Sequence, residues 1–162
     1  FTQAGVELIG ANTPEADAGA LVSEVHRLLE RVLMLDMVTV AAVNGHAFAG
    51  GAMLASAHDY LVMRQDRGYW CLPEVDLGLP LTGVMYSVLS AHIPPATLHD
   101  ASLTGRRYTA AEALAAGIVV ETAPEAEVLD RAVERAAALA GKDRTVIAEH
   151  KRLLFGHLVR AS

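Results

Sequence analysis

The sequence predicts an α/β layer followed by a mainly helical C-terminal part. Short apolar runs rich in β-branched and aromatic residues occur at 38–43, 60–63 and 69–72, between segments of helical spacing. Beyond residue 80 the spacing is mostly helical, broken by Pro94-Pro95, Gly105, Gly117, Pro124 and Gly141. The composition, 52% apolar and 20% charged over 162 residues, is that of one globular domain with a sizeable core. Aromatic residues make up only 5%, so the core must rest on aliphatic side chains and close helix contacts.

Residues 1–12 read as a strand end running into a loop, with Gly5 and Gly10 as breakers. Thr13-Pro14 opens a helix: Thr serves as N-cap, Pro takes the first helical position, and Glu15 and Asp17 fall in the first turn. Leu21, Val25, Leu28/Leu29 and Val32/Leu33 give that helix one buried stripe, up to about Leu35. Residues 38–43 (VTVAAV) read as a central strand covered on both faces. Asn44 to Gly51 form a glycine-rich turn, and Ala52 to Ala57 continue as a helix. Tyr60 to Met63 and Tyr69 to Leu72 are further strands, separated by the polar turn at 65–68. Pro73 to Pro80 read as an extended loop. Helices are predicted at 82–92, 95–103, 109–116, 125–140 and 143–158, with a strand at 118–121. We divide the chain into a core at 1–122 and C-terminal helices at 123–162.

Several classes are disfavoured. A net charge of −6 leaves no globally basic surface for nucleic acid. The single cysteine, Cys71, permits no intrachain disulfide and no thiolate zinc site, and it suits a reducing compartment. No apolar run has the roughly 18 residues of a membrane span. We therefore expect a soluble intracellular protein, cytoplasmic unless an organelle such as the peroxisome claims it. The chain begins at Phe1 without Met and reads like the middle of a domain, so a fragment or processed chain is expected. No G-x-S-x-G occurs to support serine–histidine–aspartate catalysis.

Two places carry candidate chemistry. Gly50-Gly51 lets the backbone approach a ligand closely, and a helix starting there aims free N–H groups at one point. The same pattern equally fits a tight strand-to-helix turn without a ligand. Glu74 lies among Leu72, Pro73, Val75, Leu77, Leu79 and Leu81, surroundings that raise a carboxyl pKa and suit a group that takes and returns a proton. Its plain alternative is a loop glutamate facing water. His46 reads as a turn histidine with a possible ligand contact, and Met53 and Leu54 as helix core or channel lining. Cys71 reads as an inert buried thiol. Arg64, Arg67, Arg106 and Arg107 read as solvated surface unless they meet phosphates, and His150, Lys151 and Arg152 as the polar face of the last helix.

Three segments together resemble one family. Residues 42–55 resemble the crotonase (enoyl-CoA hydratase/isomerase) signature with its G-x-A-x-G-G-G turn, and the following helix ends near the characteristic Asp, here Asp59. Residues 71–80 resemble its F-x-x-P-E-v-x-l-G-l-x-P segment. Leu103 to Val119 resemble its L-T-G-r-x-x-x-A-x-e-A-x-x-x-G-l-v. Phe1 to Leu8 resemble the F-x-x-G-x-D-l stretch more loosely, with Glu7 in place of Asp.

The resemblance implies stacked ββα units with a mainly helical C-terminal part, the family's further N-terminal strands missing here. It implies an acyl-CoA substrate with no separate cofactor, no metal, and assembly as a homotrimer or hexamer. It implies an oxyanion hole made by the backbone N–H groups of Val6 and Gly50, with His46, Phe48, Gly51, Met53 and Leu79 near the substrate. The family's hydratases use two glutamates. Here the first position falls on Met53 and the second on Glu74. One carboxyl group suffices for a 1,3-proton shift, so the resemblance is strongest to Δ3,Δ2-enoyl-CoA isomerases of fatty acid metabolism. The alternatives are another crotonase-type reaction, hydratase-like, or a non-catalytic acyl-CoA-binding or oligomerisation module.

Overall fold

The computed structural model describes residues 15–159. The predicted strand end at 1–12 and the Thr13-Pro14 cap lie outside them. The first described element, helix α1 (Glu15–Leu33), buries Leu29 and Leu33 and packs Val25 and Val32 against the core. This is most of the stripe predicted from its 3.6-residue period, but Leu28, counted in it, is exposed.

Two consecutive strand–strand–helix units follow. The first is β1 (Val40–Val43), β2 (Ala47–Phe48) and α2 (Gly50–Ser56); the second is β3 (Tyr60–Arg64), β4 (Trp70–Cys71) and α3 (Glu74–Leu77). Equivalent strands pair in parallel: β1 with β3, Val40 opposite Tyr60, and β2 with β4, Ala47 opposite Trp70. The units therefore stack in the same orientation. A third strand, β5 (Glu121–Ala123), joins β3 on its other side, giving the order β1-β3-β5.

The central strand of this sheet is β3, not the 38–43 run. Its pleat explains why. Leu61 and Met63 enter the main core, while Val62 points the other way into a second cluster with Ala123, Val128 and Ala132. β1 lies at the edge of the described sheet, begins two residues later than predicted, and leaves Ala42 exposed. The predicted 118–121 strand is also displaced. Gly117 turns left-handed, φ 73°, and the Ile118 N–H bonds back to Ala113 O at 2.8 Å, so Ile118 and Val119 are buried in a helix-end turn. The chain enters the ladder only opposite Val62 to Arg64.

The helices after residue 80 are α4 (Gly83–Ser90), α5 (Pro95–Thr104), α6 (Ala110–Ala115), α7 (Val128–Leu139) and α8 (Arg144–Val159). Thr82 caps α4 through the Met85 N–H. Thr109 and Glu112 form a capping box at α6, which satisfies two donors that the helix leaves open. α7 covers the outer face of β1, β3 and β5, while α1, α2 and α4 enclose the main core around Met53, Trp70 and Leu89.

Candidate functional site

The two candidate groups follow the C-terminal ends of the parallel β2–β4 pair. Phe48 lies opposite Cys71, and the Ala49 N–H extends the ladder to Cys71 O at 3.1 Å. Gly50 follows one residue after Ala49, and Glu74 follows three residues after Cys71. Both segments leave the pair in the same direction, each into the first residue of a helix.

Gly50 starts α2, so its N–H and those of Gly51 and Ala52 have no acceptor within the helix. The turn is strained where sequence reasoning did not look. Ala49 stands on the first position of the closing G-G-G run and adopts φ 48°, ψ −123°, a conformation costing a side-chain-bearing residue about 1–3 kcal/mol. The substitution at this glycine position was itself the available signal.

Pro73 to Pro80 do not form the extended loop predicted. The Asp76 and Leu77 N–H groups bond to Pro73 O at 3.0 and 3.1 Å, making one helical turn that left-handed Gly78 ends. Pro73 favours this start because its fixed φ suits a helix entry and its missing N–H costs nothing there. The turn draws Glu74 inward, leaving it 9% exposed, and its Oε2 is buried without a hydrogen-bond partner. Burial raises the Glu74 pKa above the usual carboxylate range, offset in part by its own backbone N–H. The water-facing alternative for Glu74 is thus excluded.

The other described candidate residues occupy four positions. Gly51 is half-buried beside Gly50. Met53 is 1% exposed inside the main core, so it is helix core behind the turn. His46 and Phe48 occupy the face of β2 opposite buried Ala47: exposed His46 stacks on Tyr69 at 5.7 Å, and the Arg107 guanidinium lies 5.5 Å from the Phe48 ring centre. Leu79 is 59% exposed just beyond α3, its N–H bonded to Glu74 O at 2.9 Å. Val6 lies outside the described residues. A hollow of about 330 Å³ between α4 and α5, lined by Leu81, Tyr86, Ile93, Leu98 and Leu103 among others, includes neither Glu74 nor the glycines.

Two cations read as surface are in fact buried. Arg64 is 8% exposed and pairs with Asp66 and Glu125. Lys151, 5% exposed, bonds Asp59 Oδ2 at 2.8 Å and Met37 O at 3.1 Å. Glu125, Asp59 and Met37 are distant in sequence from the cations they hold, so periodicity carried no sign of this burial. Arg106 is held by Glu112 and Asp100. Cys71 is buried with its Sγ 3.1 Å from Gly105 O, and burial raises its pKa, in keeping with an inert thiol. Among the described residues, no group of three or more His, Cys, Asp or Glu is placed to hold a metal, and no helix is long and apolar enough to cross a membrane.

Stacked parallel ββα units, one opening its helix at a glycine turn and the next at a buried glutamate, define a crotonase-type arrangement. Residues 3–159 match the family model described as enoyl-CoA hydratase/isomerase, and the chain belongs to that family, within the crotonase superfamily. Enoyl-CoA delta isomerase 2, peroxisomal, of Arabidopsis thaliana is 36% identical over 135 residues, covering 78% of this chain and 56% of that protein. Carnitinyl-CoA dehydratase of Escherichia coli K12 is 40% identical over 126 residues, covering 77% of this chain and 48% of that protein. The structure of human mitochondrial delta3-delta2-enoyl-CoA isomerase superposes with a TM-score of 0.83 at 26% identity, over 94% of this chain and 59% of that one. The chain thus spans about half the length of the curated relatives it matches.

Proposed function

We propose that this chain carries the proton-transfer centre of an enoyl-CoA isomerase, converting a 3-enoyl-CoA to the trans-2-enoyl-CoA. One observation carries the reading: Glu74 is a buried carboxyl with an unpaired oxygen, while Met53 occupies the place of a second glutamate. In its ionised form Glu74 removes a proton from C2 of the substrate. The C2–H electron pair delocalises into a dienolate whose negative charge rests on the thioester oxygen. The Gly50 N–H, and by family pattern the Val6 N–H, donate to that oxygen; each such donor is worth about 3 kcal/mol in the transition state. Protonated Glu74 returns the proton to C4, and the double bond moves from C3–C4 to C2–C3. No charge or atom is left over, and no cofactor beyond the substrate's own CoA is required.

Burial favours this cycle because it brings the Glu74 pKa closer to neutrality, where one group serves as base and then acid. Met53 has no exchangeable proton and cannot direct a water to the double bond. A second reading, a hydratase or dehydratase, draws support from the carnitinyl-CoA dehydratase relatives. A third is a silent acyl-CoA-binding or oligomerisation module. The family pattern points to a homotrimer or hexamer in either case.

The test is incubation with 3-enoyl-CoA, with the conjugated product followed by absorbance. Wild type is expected to form it. Glu74→Gln is expected to lose about 10²- to 10⁴-fold in turnover. Undiminished turnover in that variant eliminates Glu74 as the shuttle. Hydration without isomerisation supports the second reading, and binding without turnover the third.

A further inference from the structure

The carboxyl of Glu74 has no side-chain partner to fix it, so its place depends on where α3 sits. α3 is a single turn of four residues, too short to hold itself, and Val75, Asp76 and Leu77 are all exposed. Little burial anchors it apart from its contact with α5.

That contact converges on Gly105, the left-handed C-cap of α5, at φ 61° and ψ 14°. Gly105 is buried, and its N–H closes α5 onto Ala101 O at 3.1 Å. Its carbonyl oxygen accepts the Cys71 Sγ–H at 3.1 Å, three residues ahead of Glu74. Its bare Cα faces Asp76, two residues after Glu74: a Cβ there would stand 2.5 Å from Asp76 Oδ2, 3.0 Å from Asp76 Cγ and 3.3 Å from Val75 Cγ1. Just downstream, Trp70 and Tyr108 exchange both backbone hydrogen bonds, at 3.0 and 2.9 Å, so the segment leaving Gly105 runs beside the one leading to Glu74.

We infer that Gly105 is a positioning residue for Glu74: its carbonyl holds the segment that carries Glu74 through Cys71, and its missing side chain leaves room for α3 to close against it at Asp76. The inference rests on Glu74 being the proton carrier. The burial-driven rise in the Cys71 pKa keeps its thiol protonated and able to donate. Glycine is required at 105 for two separable reasons. The left-handed backbone disfavours a side chain, and a Cβ would push the Asp76 carboxylate and Val75 out of their present places.

Gly105→Asn separates the two, since Asn tolerates the left-handed conformation but still brings a Cβ. In the full chain, this variant is expected to lower kcat on 3-enoyl-CoA by about 10- to 100-fold per folded enzyme, the scale of a misplaced group, with KM little changed. The acid limb of its kcat–pH profile should move to lower pH as the carboxyl loses its cover. Adding Asp76→Ala should restore kcat and the limb by opening space for the new Cβ, while Asp76→Ala alone should stay near wild type. A folded Gly105→Asn with wild-type kcat and pH profile overturns the inference, as does a loss that Asp76→Ala does not relieve. If Gly105→Asn does not accumulate folded, Cys71→Ala takes its place: it removes one grip without crowding, and an unaltered kcat and pH limb would count against Gly105. Glu74→Gln separates this failure from the larger one. If that variant keeps turnover, the Glu74 reading itself has failed; if it is inactive while Gly105→Asn is not, only the positioning role has.

Discussion

Asp59 and Glu74 are two inward-facing carboxyls at opposite ends of the second ββα unit, and their surroundings differ completely. Asp59 Oδ2 accepts from Thr39 N at 2.7 Å, Thr39 Oγ1 at 3.0 Å and Lys151 Nζ at 2.8 Å. These bonds tie the start of β1, the start of β3 and α8 together. Glu74 Oε2 is buried and receives no hydrogen bond. A half-buried acid whose oxygen accepts three hydrogen bonds holds a fold together. One left unsatisfied is free to exchange a proton, because its two charge states lie closer in energy.

Exchanging the partners should expose that contrast most strongly in stability. Lys151→Met leaves Asp59 charged without its counter-ion and should cost about 3–5 kcal/mol in denaturant unfolding. Isomerase turnover per folded enzyme should be unchanged. Glu74→Gln should show the reverse: stability within about 1 kcal/mol of wild type, since no hydrogen bond to Oε2 is lost, and turnover lowered by about 10²- to 10⁴-fold. If both variants lose stability alike, Asp59 and Glu74 do not differ in kind.

The pH dependence of stability sharpens the same contrast. The folded protein holds the Glu74 proton to a higher pH than the unfolded chain does, because burial raises that pKa above its ordinary 4.5. Below the ordinary value both states are protonated and no penalty arises. As pH rises from there through the raised folded value, Glu74 costs stability, and the cost then levels off. Glu74→Gln removes this decline. The stability of the variant relative to wild type should therefore grow across that window in urea titrations, and a constant difference would contradict the burial account.

The smallest effect concerns the turn. Ala49→Gly releases the strained backbone and should stabilise by about 1 kcal/mol, or roughly 2–4 °C in Tm. A destabilised variant would mean that the Ala49 methyl packing outweighs its backbone strain.

Much of this arrangement was legible in the chain because its signals are local. The apolar runs of β-branched and aromatic residues placed β1, β3 and β4 near their sites, and the Gly50-Gly51 and Pro73-Glu74 spacings marked both halves of the candidate site. The departures came from interactions at a distance. The 73–80 segment reads as extended from its two prolines, yet hydrogen bonds to Pro73 O close a helical turn that buries Glu74. Lys151 carries no sign of burial in its own helix, since its partner Asp59 lies 92 residues away. The edge position of β1 depends on which strand β3 recruits, and β5 comes from residues 121–123, shifted by the turn that buries Ile118 and Val119.

The most direct test follows the proton itself. A 3-enoyl-CoA carrying deuterium at both C2 positions is turned over once in ordinary water, and the product is read by mass spectrometry and NMR. A single buried carboxyl that removes and returns the same nucleus predicts substantial deuterium at C4. Product whose added C4 hydrogen comes wholly from solvent would contradict a lone Glu74 shuttle and point to a second group or a water in the transfer.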